Sequence, residues 1–313
     1  GEYDPDVVSA AIRLEVGRGG QVYYVSNRVK TIDDAVARVH EAAPEARVGV
    51  AHGKMSPREV EDVMLEFAEQ ENLHIPANNK PLMNLFTNQN WAFPFKDNQV
   101  DIFTDGYEFI FSLLYNIGKA KHHVHLDTYI FEDDALGYLV ADALIDKAEQ
   151  GVEVRLIYDD VGCWKVKDAF FERMREAGID VHSFMPVRFP AFTSKVNYRN
   201  HRKICVIDGR VGFIGGMNIA KRYVKGTGKQ KWRDTHLRIE GGGVYALQRA
   251  FLIDWYFVDR TLVSNRKYYP PVDSKIRNNC LVQVVTSSPI APWPDIMQGY
   301  VRILLQAQKY VYM

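Results

Sequence analysis

Apolar positions along the chain repeatedly change period, and each change predicts an element. Val7 to Val16 has helical spacing, the pair Gly19-Gly20 stops it, and Gln21-Val22-Tyr23-Tyr24-Val25 follows as a β-branched and aromatic run suited to a buried strand. Thr31 suits an N-cap, with Asp33 and Asp34 in the first turn of a helix reaching about Ala43. Arg47 to Ala51 reads as the next strand. Ser56-Pro57-Arg58-Glu59 then forms a capping box with proline at the first helical position, opening a helix to about Ala68. Strand, helix, strand, helix predicts a piece of parallel α/β sheet.

From residue 100 the alternation resumes with a different repeat length. Strands are expected at Val100 to Phe103, His123 to Phe131, Val152 to Tyr158 and Ile179 to Phe184. Helices are expected at about 107 to 120, 135 to 150 and 167 to 177, with Gly151 and Gly178 closing two of them. In His201-Arg202-Lys203-Ile204-Cys205-Val206-Ile207-Asp208-Gly209 strand alternation sends His201, Lys203 and Cys205 to one face, placing an imidazole beside an ammonium.

Composition changes this picture in one respect. The 313 residues, 47% hydrophobic and 25% charged, suit a globular protein and exclude collagen-like and disordered classes. Yet the zero net charge is a cancellation: residues 1 to 72 hold 8 Lys+Arg against 14 Asp+Glu, and residues 73 to 313 hold 31 against 25. All five tryptophans also lie in the second part, which places a boundary near residue 72. Three widely spaced cysteines without a CxxC pair indicate neither a disulfide framework nor a thiolate zinc site. No run approaches the ~18 to 20 apolar residues of a membrane span, and the acidic start lacks a signal peptide's basic region.

Candidate chemistry concentrates after residue 200. Behind His201 and Lys203 come the small turn Gly215-Gly216, which lets backbone approach an oxyanion, and Asn218, an amide donor. This is the composition of a phosphate site. The spacing His201-x-Lys203-x-x-x-x-Asp208, followed by Gly215-Gly216-x-Asn218, resembles the HKD motif of the phospholipase D superfamily. Four further stretches narrow the resemblance to bacterial cardiolipin synthase, from about residue 73 to the last residue: Tyr158-Asp159-Asp160-Val161-Gly162, Pro186 to Pro190, Asn197 to Lys203, and Trp232-Arg233-Asp234-Thr235-His236 to Gly241.

That resemblance implies transfer of a phosphatidyl group from one phosphatidylglycerol to the hydroxyl of another, giving cardiolipin and glycerol, with no metal and no cofactor. His201 is the expected nucleophile, forming a phosphatidyl-histidine, because splitting a phosphodiester displacement into two steps eases departure of a poor leaving group. Lys203 and Asn218 are expected to hold the non-bridging oxygens. Asp234 is the candidate acceptor for the other ring N–H of His201. Asp208, the third motif residue, is expected to order the strand and turn. Arg199 and Arg202, within a basic run that includes Arg188 and Lys195, suit an anionic headgroup or membrane surface, with Gly215 and Gly216 lining the phosphate pocket. The family implies the bacterial cell membrane, and a chain without a span is expected to be cytoplasmic or peripheral.

The first segment carries a different resemblance. Arg18 to Val29 and Pro44 to Met55 resemble the second RecA-like lobe of the bacterial transcription-repair coupling factor. No GxxxxGK[ST] phosphate loop is present, so His52 and Arg28 read as scaffold residues and nucleic acid is not an expected partner. A fragment of a DNA translocase is the rival reading.

Internal repeats complete the expectation. Ile117 to Leu126 is echoed at Leu304 to Met313, an offset of 187, and Val100 to Thr104 at Val282 to Thr286, an offset of 182. A second copy therefore begins, and its histidine is expected near position 388, beyond the last residue. The expected organisation is a partial RecA-like βαβα segment at 1–72, one complete phospholipase D-like α/β domain at 73–280, and a truncated second repeat at 281–313 ending inside a strand. A chimeric or truncated reading frame follows from this, either catalytically inactive or active as a homodimer that supplies the second histidine in trans. His122-His123-His125 splits between strand faces and reads as no metal site, and Cys205 as a buried small hydrophobe.

Overall fold

A computed structural model of the chain describes residues 9–10, 12–13, 22, 32–44, 46–50, 52, 54–55, 79–90, 92–187, 199–226, 232–272, 280–288 and 294–312. The chain divides into two compact units, Gly1–Asn84 and Leu85–Met313.

In the first unit, helix α1 (Ile32–Ala42) forms where Asp33 and Asp34 in its first turn and His40 in its last complement the helix dipole. Ile12 and Ala43 are buried together, with Val22, Val39 and Ala46 packed against them. The expected strand over Arg47–Ala51 is not formed across the described residues 47–50. A strand needs a ladder partner, and the expected one, Gln21–Val25, lies almost wholly outside the described residues, as do Thr31, Arg28, the helix at 56–68 and position 72.

In the second unit, helix α2 (Lys80–Asn90), within which the division falls, leads into strand β1 (Pro94–Phe103) and helix α3 (Gly106–Lys119). Next come β2 (His123–Thr128), α4 (Ala135–Glu149), β3 (Glu153–Asp159), α5 (Asp168–Glu176) and β4 (Asp180–Phe184). The chain then forms β5 (Lys203–Ile207), β6 (Val211–Gly215), the short α6 (Lys221–Lys225), β7 (His236–Glu240) and α7 (Gly243–Asp259). Strand β8 (Cys280–Gln283) and helix α8 (Asp295–Gln306) follow. Asp105 and Asp134 start α3 and α4 by accepting two backbone N–H groups each, as N-cap carboxylates do.

The eight strands form one sheet in the order β4-β3-β2-β5-β6-β7-β1-β8. Strands β2, β3 and β4 are parallel, joined by α4 and α5, whereas β5 enters antiparallel to β2 and every later pairing is antiparallel. Period-two alternation divides β5 between two cores. Cys205 and Ile207 face a core built with α3, α4 and α5, while Ile204 and Val206 face Val244, Leu247 and Ala250 of α7. Central β5 is buried along its whole length, so whatever its ends carry is held rigidly.

The expected division at residue 281 falls inside β8, which pairs with β1 as the sheet's edge. Residues 307–312 form no strand, contrary to expectation, and no ladder partner is available to them among the described residues. Among the described residues no helix is long and apolar enough to cross a membrane.

Candidate active site

The hairpin joining β5 and β6 fixes the site's far boundary. Asp208 and Gly209 take φ values of 53° and 63°, the two left-handed positions of a tight hairpin turn. A Cβ at Gly209 would overlap the Tyr268 carbonyl, so that position admits glycine. The Asp208 carboxylate accepts the backbone N–H groups of Lys121, His122 and His123 at 2.8 to 3.2 Å, tying the turn to the start of β2. Asp208 therefore stands at the opposite end of β5 from His201, its carboxylate accepting backbone N–H groups.

At the near end, His201 opens to solvent while Lys203 is 4% exposed. Both lie against Tyr129, which follows β2. The Tyr129 and His201 rings are 4.5 Å apart, and the Lys203 ammonium is 5.1 Å from the Tyr129 centroid, within cation–π range. The Lys203 Nζ also donates to the His201 carbonyl at 2.7 Å. Burial brings Lys203 down to about 8, against the attraction of Asp127, Asp234 and Asp159. Partial burial and the Lys203 charge lower His201 below its ordinary value, while Asp159 and Asp234 pull it back up. A neutral imidazole is what a nucleophile requires.

Asp234 is half-buried, and its Oδ1 accepts the Thr235 N–H at 2.7 Å. Among the described residues no hydrogen bond joins it to His201, which it influences through its charge. Gly216 makes room for it: a Cβ there would overlap the Asp234 carboxylate, and one at Gly215 would overlap His236. These glycines thus admit a carboxylate and a strand neighbour, where open space for an oxyanion was expected. Asn218 is likewise committed. Its Oδ1 accepts the Ile130 N–H at 3.0 Å and its Nδ2 donates to the Tyr223 hydroxyl at 2.6 Å, leaving one N–H for any phosphate oxygen.

Arg199 and Arg202, the arginines expected to meet a headgroup, face carboxylates. Arg202 pairs with Asp254 of α7, and Arg199 donates to the Met185 carbonyl at 3.0 Å and lies 3.9 Å from Asp159. Arg188 and Lys195 lie outside the described residues. Asp159 also accepts the N–H groups of Val161, Gly162 and Asn200, so it organises two loops at once. A cavity of about 400 Å³ opens beside His201, Arg202 and Lys203, floored by Ala250 and Asp254 and walled by Val284 to Ser288.

Sequence reasoning missed Tyr129, Asp127, Asn200 and Asp254. Two signals pointed toward them: Asp127 continues the His123, His125 alternation on one face of β2, and Gln248 and Asp254 interrupt the apolar stripe of α7. His123 and His125 share that face, both bonded to Gln248 at 3.1 and 2.8 Å. Cys205 is fully within the core and burial raises its thiol far above the ordinary range.

The fold is of the phospholipase D-like α/β type. Residues 113–240 match the family model described as the PLD-like domain of cardiolipin synthase. The chain is 38% identical over 271 residues to the cardiolipin synthase of Oceanobacillus iheyensis, an alignment covering 85% of this chain and 55% of that protein. It is 38% identical over 245 residues to the major cardiolipin synthase ClsA of Bacillus subtilis, covering 77% of this chain and 50% of that one. The phosphatidylserine synthase of Haemophilus influenzae shares the fold, with a TM-score of 0.50 at 17% identity, covering 74% of this chain and 58% of that one. The chain spans about half the length of the curated relatives it matches.

Proposed function

We propose that the site around His201 performs phosphatidyl transfer of the cardiolipin synthase type, with phosphatidylglycerol as donor and acceptor. The observation that carries the reading is the placement of an imidazole held below its ordinary basicity next to a buried ammonium, both against Tyr129 and both lining a cavity. An imidazole nitrogen of His201 attacks phosphorus, the bond from phosphorus to the glycerol oxygen breaks, and the departing oxygen takes a proton. The hydroxyl of a second phosphatidylglycerol then attacks the phosphatidyl-histidine and returns a proton to the base left when the leaving oxygen was protonated, restoring His201 and forming cardiolipin. Lys203 offsets the charge on the non-bridging oxygens, a contribution that grows in the transition state. Asp234 sustains the charge His201 acquires. The proton for the leaving oxygen comes from a second histidine, which a further copy of the chain can supply at a shared interface.

The setting is the surface of an anionic bacterial membrane. The test incubates purified protein with phosphatidylglycerol vesicles, follows cardiolipin, phosphatidic acid and phosphohistidine by mass spectrometry, and uses His201→Ala as control. Product that disappears in the control supports transfer through His201. Absence of both product and phosphohistidine from the folded chain rejects the reading for this molecule.

A further inference from the structure

The two residues flanking His201 reach down to the same pair of buried carboxyl groups. Asn200 Nδ2 donates to Asp127 Oδ2 at 2.8 Å and lies 3.4 Å from Asp254 Oδ2, while Arg202 is ion-paired with Asp254. Arg202 also donates its backbone N–H to Asn200 Oδ1 at 3.2 Å. Asp127 is 1% exposed, and its Oδ1 is buried without a hydrogen-bond partner among the described residues. Asp127 and Asp254 are two carboxyl groups held in one buried cluster, where like charges side by side favour neutralising one of them.

We propose that Asp127 and Asp254 share one proton, Asp127 carrying it toward Asp254, and that this pair positions His201 by holding both of its chain neighbours. The proposal rests on the reading of His201 as nucleophile. Asp127 and Asp254 touch neither substrate nor the reacting imidazole, so they are positioning residues, acting from β2 and α7 on a loop that leads into β5. Burial first, and then the Asp254 charge, raise Asp127 well above the carboxylate range, against the pull of Asn200 and Arg202. The charged groups facing the pair are Arg202 from the loop and Lys203 from β5. With the proton in place, Asp127 accepts from Asn200 and donates to Asp254, and Asp254 keeps its charge for Arg202. A loop fastened on both sides of one residue leaves that residue few orientations, which is the preorganisation nucleophilic attack needs.

The substitutions separate a neutral from an ionised Asp127. Asparagine reproduces the protonated acid, accepting through oxygen and donating through nitrogen, whereas leucine of similar size does neither. Amide exchange at Asn200 and Arg202 is expected to stay within about twofold of wild type in Asp127→Asn, and to quicken at least about tenfold in Asp127→Leu and Asp254→Asn. The His201 titration, followed by NMR, is expected to fall in Asp254→Asn, where the Arg202 charge loses its partner, and to hold in Asp127→Asn. An infrared band of a protonated carboxyl is expected at neutral pH in wild type and absent from Asp127→Asn.

The proposal is overturned if that band is missing from wild type, if Asp127→Asn loosens the loop as much as Asp127→Leu, or if Asp254→Asn changes neither exchange nor titration. None of these measurements depends on turnover. A wild type that shows the band and the protected loop but forms no phosphohistidine therefore rejects the proposed function while leaving the pair established.

Discussion

The imidazole of His201 and the phenol ring of Tyr129 meet at a centroid separation of 4.5 Å with a tilt of 52°. The same phenol ring lies beneath the Lys203 ammonium, so one aromatic surface sets the spacing of two motif residues that alternation placed on one strand face. Replacing the ring removes a cation–π contact of ~0.5 to 2 kcal/mol and the surface that limits His201. Tyr129→Leu is therefore expected to slow phosphohistidine formation by about tenfold, and Tyr129→Phe to recover most of it. Rapid-quench mass spectrometry checks both; equal losses would show that the hydroxyl, and not the ring, is what matters.

Gly216 faces the Asp234 carboxylate with no room for a side chain. Gly216→Ala is expected to displace the Asp234 carboxylate, the half-buried end of a side chain, at a cost in stability below ~1 kcal/mol. Without the nearby carboxylate the His201 titration should move further down, since Asp234 is one of the charges that raise it. Denaturant unfolding gives the first quantity and NMR titration the second. An unshifted His201 would separate Asp234 from the site's electrostatics.

Asp208 is spent on three backbone N–H groups at the end of β5 away from His201. Asp208→Ala should lower stability by ~1 to 3 kcal/mol, the scale of losing hydrogen bonds to a charged acceptor. Its catalytic rate per folded molecule should change little. A rate loss far beyond the folded fraction would place Asp208 in the catalytic set.

Acid should unfold the domain in a defined window. Burial lowers His123 to about 4 and His236 to about 3, and lowers His125 well below its ordinary value, with the neighbouring His123 adding to the effect. Unfolded histidines titrate near 6.5, so as pH falls from about 6.5 toward 4 the unfolded chain binds protons that the folded chain refuses, and stability drops by up to ~1.4 kcal/mol per pH unit for each. Asp127 works in the opposite sense, holding a proton in the folded state that the unfolded chain releases above about 4. Four histidines, with His201 among them, against two carboxyls, Asp127 and Asp159, leave the net slope positive with pH. Urea midpoints measured across that window are expected to fall with acid, and His236→Phe to flatten the fall; a flat wild-type profile would mean that these rings are already charged.

The second unit was legible in the sequence wherever period and punctuation agreed. The helices now seen at Gly106–Lys119 and Ala135–Glu149 stand within a residue of their expected bounds, because aspartate caps and apolar spacing mark both. The hairpin at Asp208-Gly209 is written in the residues that its left-handed backbone demands. What a single chain position does not reveal is which polar groups the fold will set against each other. Nothing in the sequence announces that α7 places Asp254 beside Arg202, or that Ile130 and Tyr223 engage the Asn218 amide and leave it one N–H. Asp127 and Asp254 lie 127 residues apart, so their meeting is a property of topology. The edge strand β8 was hidden for the same reason, since its pairing with β1 joins residues more than 180 apart.

Helix α7 touches two polar layers on one face of the sheet. Gln248 spans His123 and His125, and Asp254 takes Arg202 beside His201. Six residues separate them, a rise of about 9 Å along a helix. Neither layer can be re-registered alone: a slide of α7 that corrected one contact would break the other. The helix thus serves as a gauge block, its fixed length transferring the placement of a buried histidine pair at one end of β2 to the loop that presents His201 at the other.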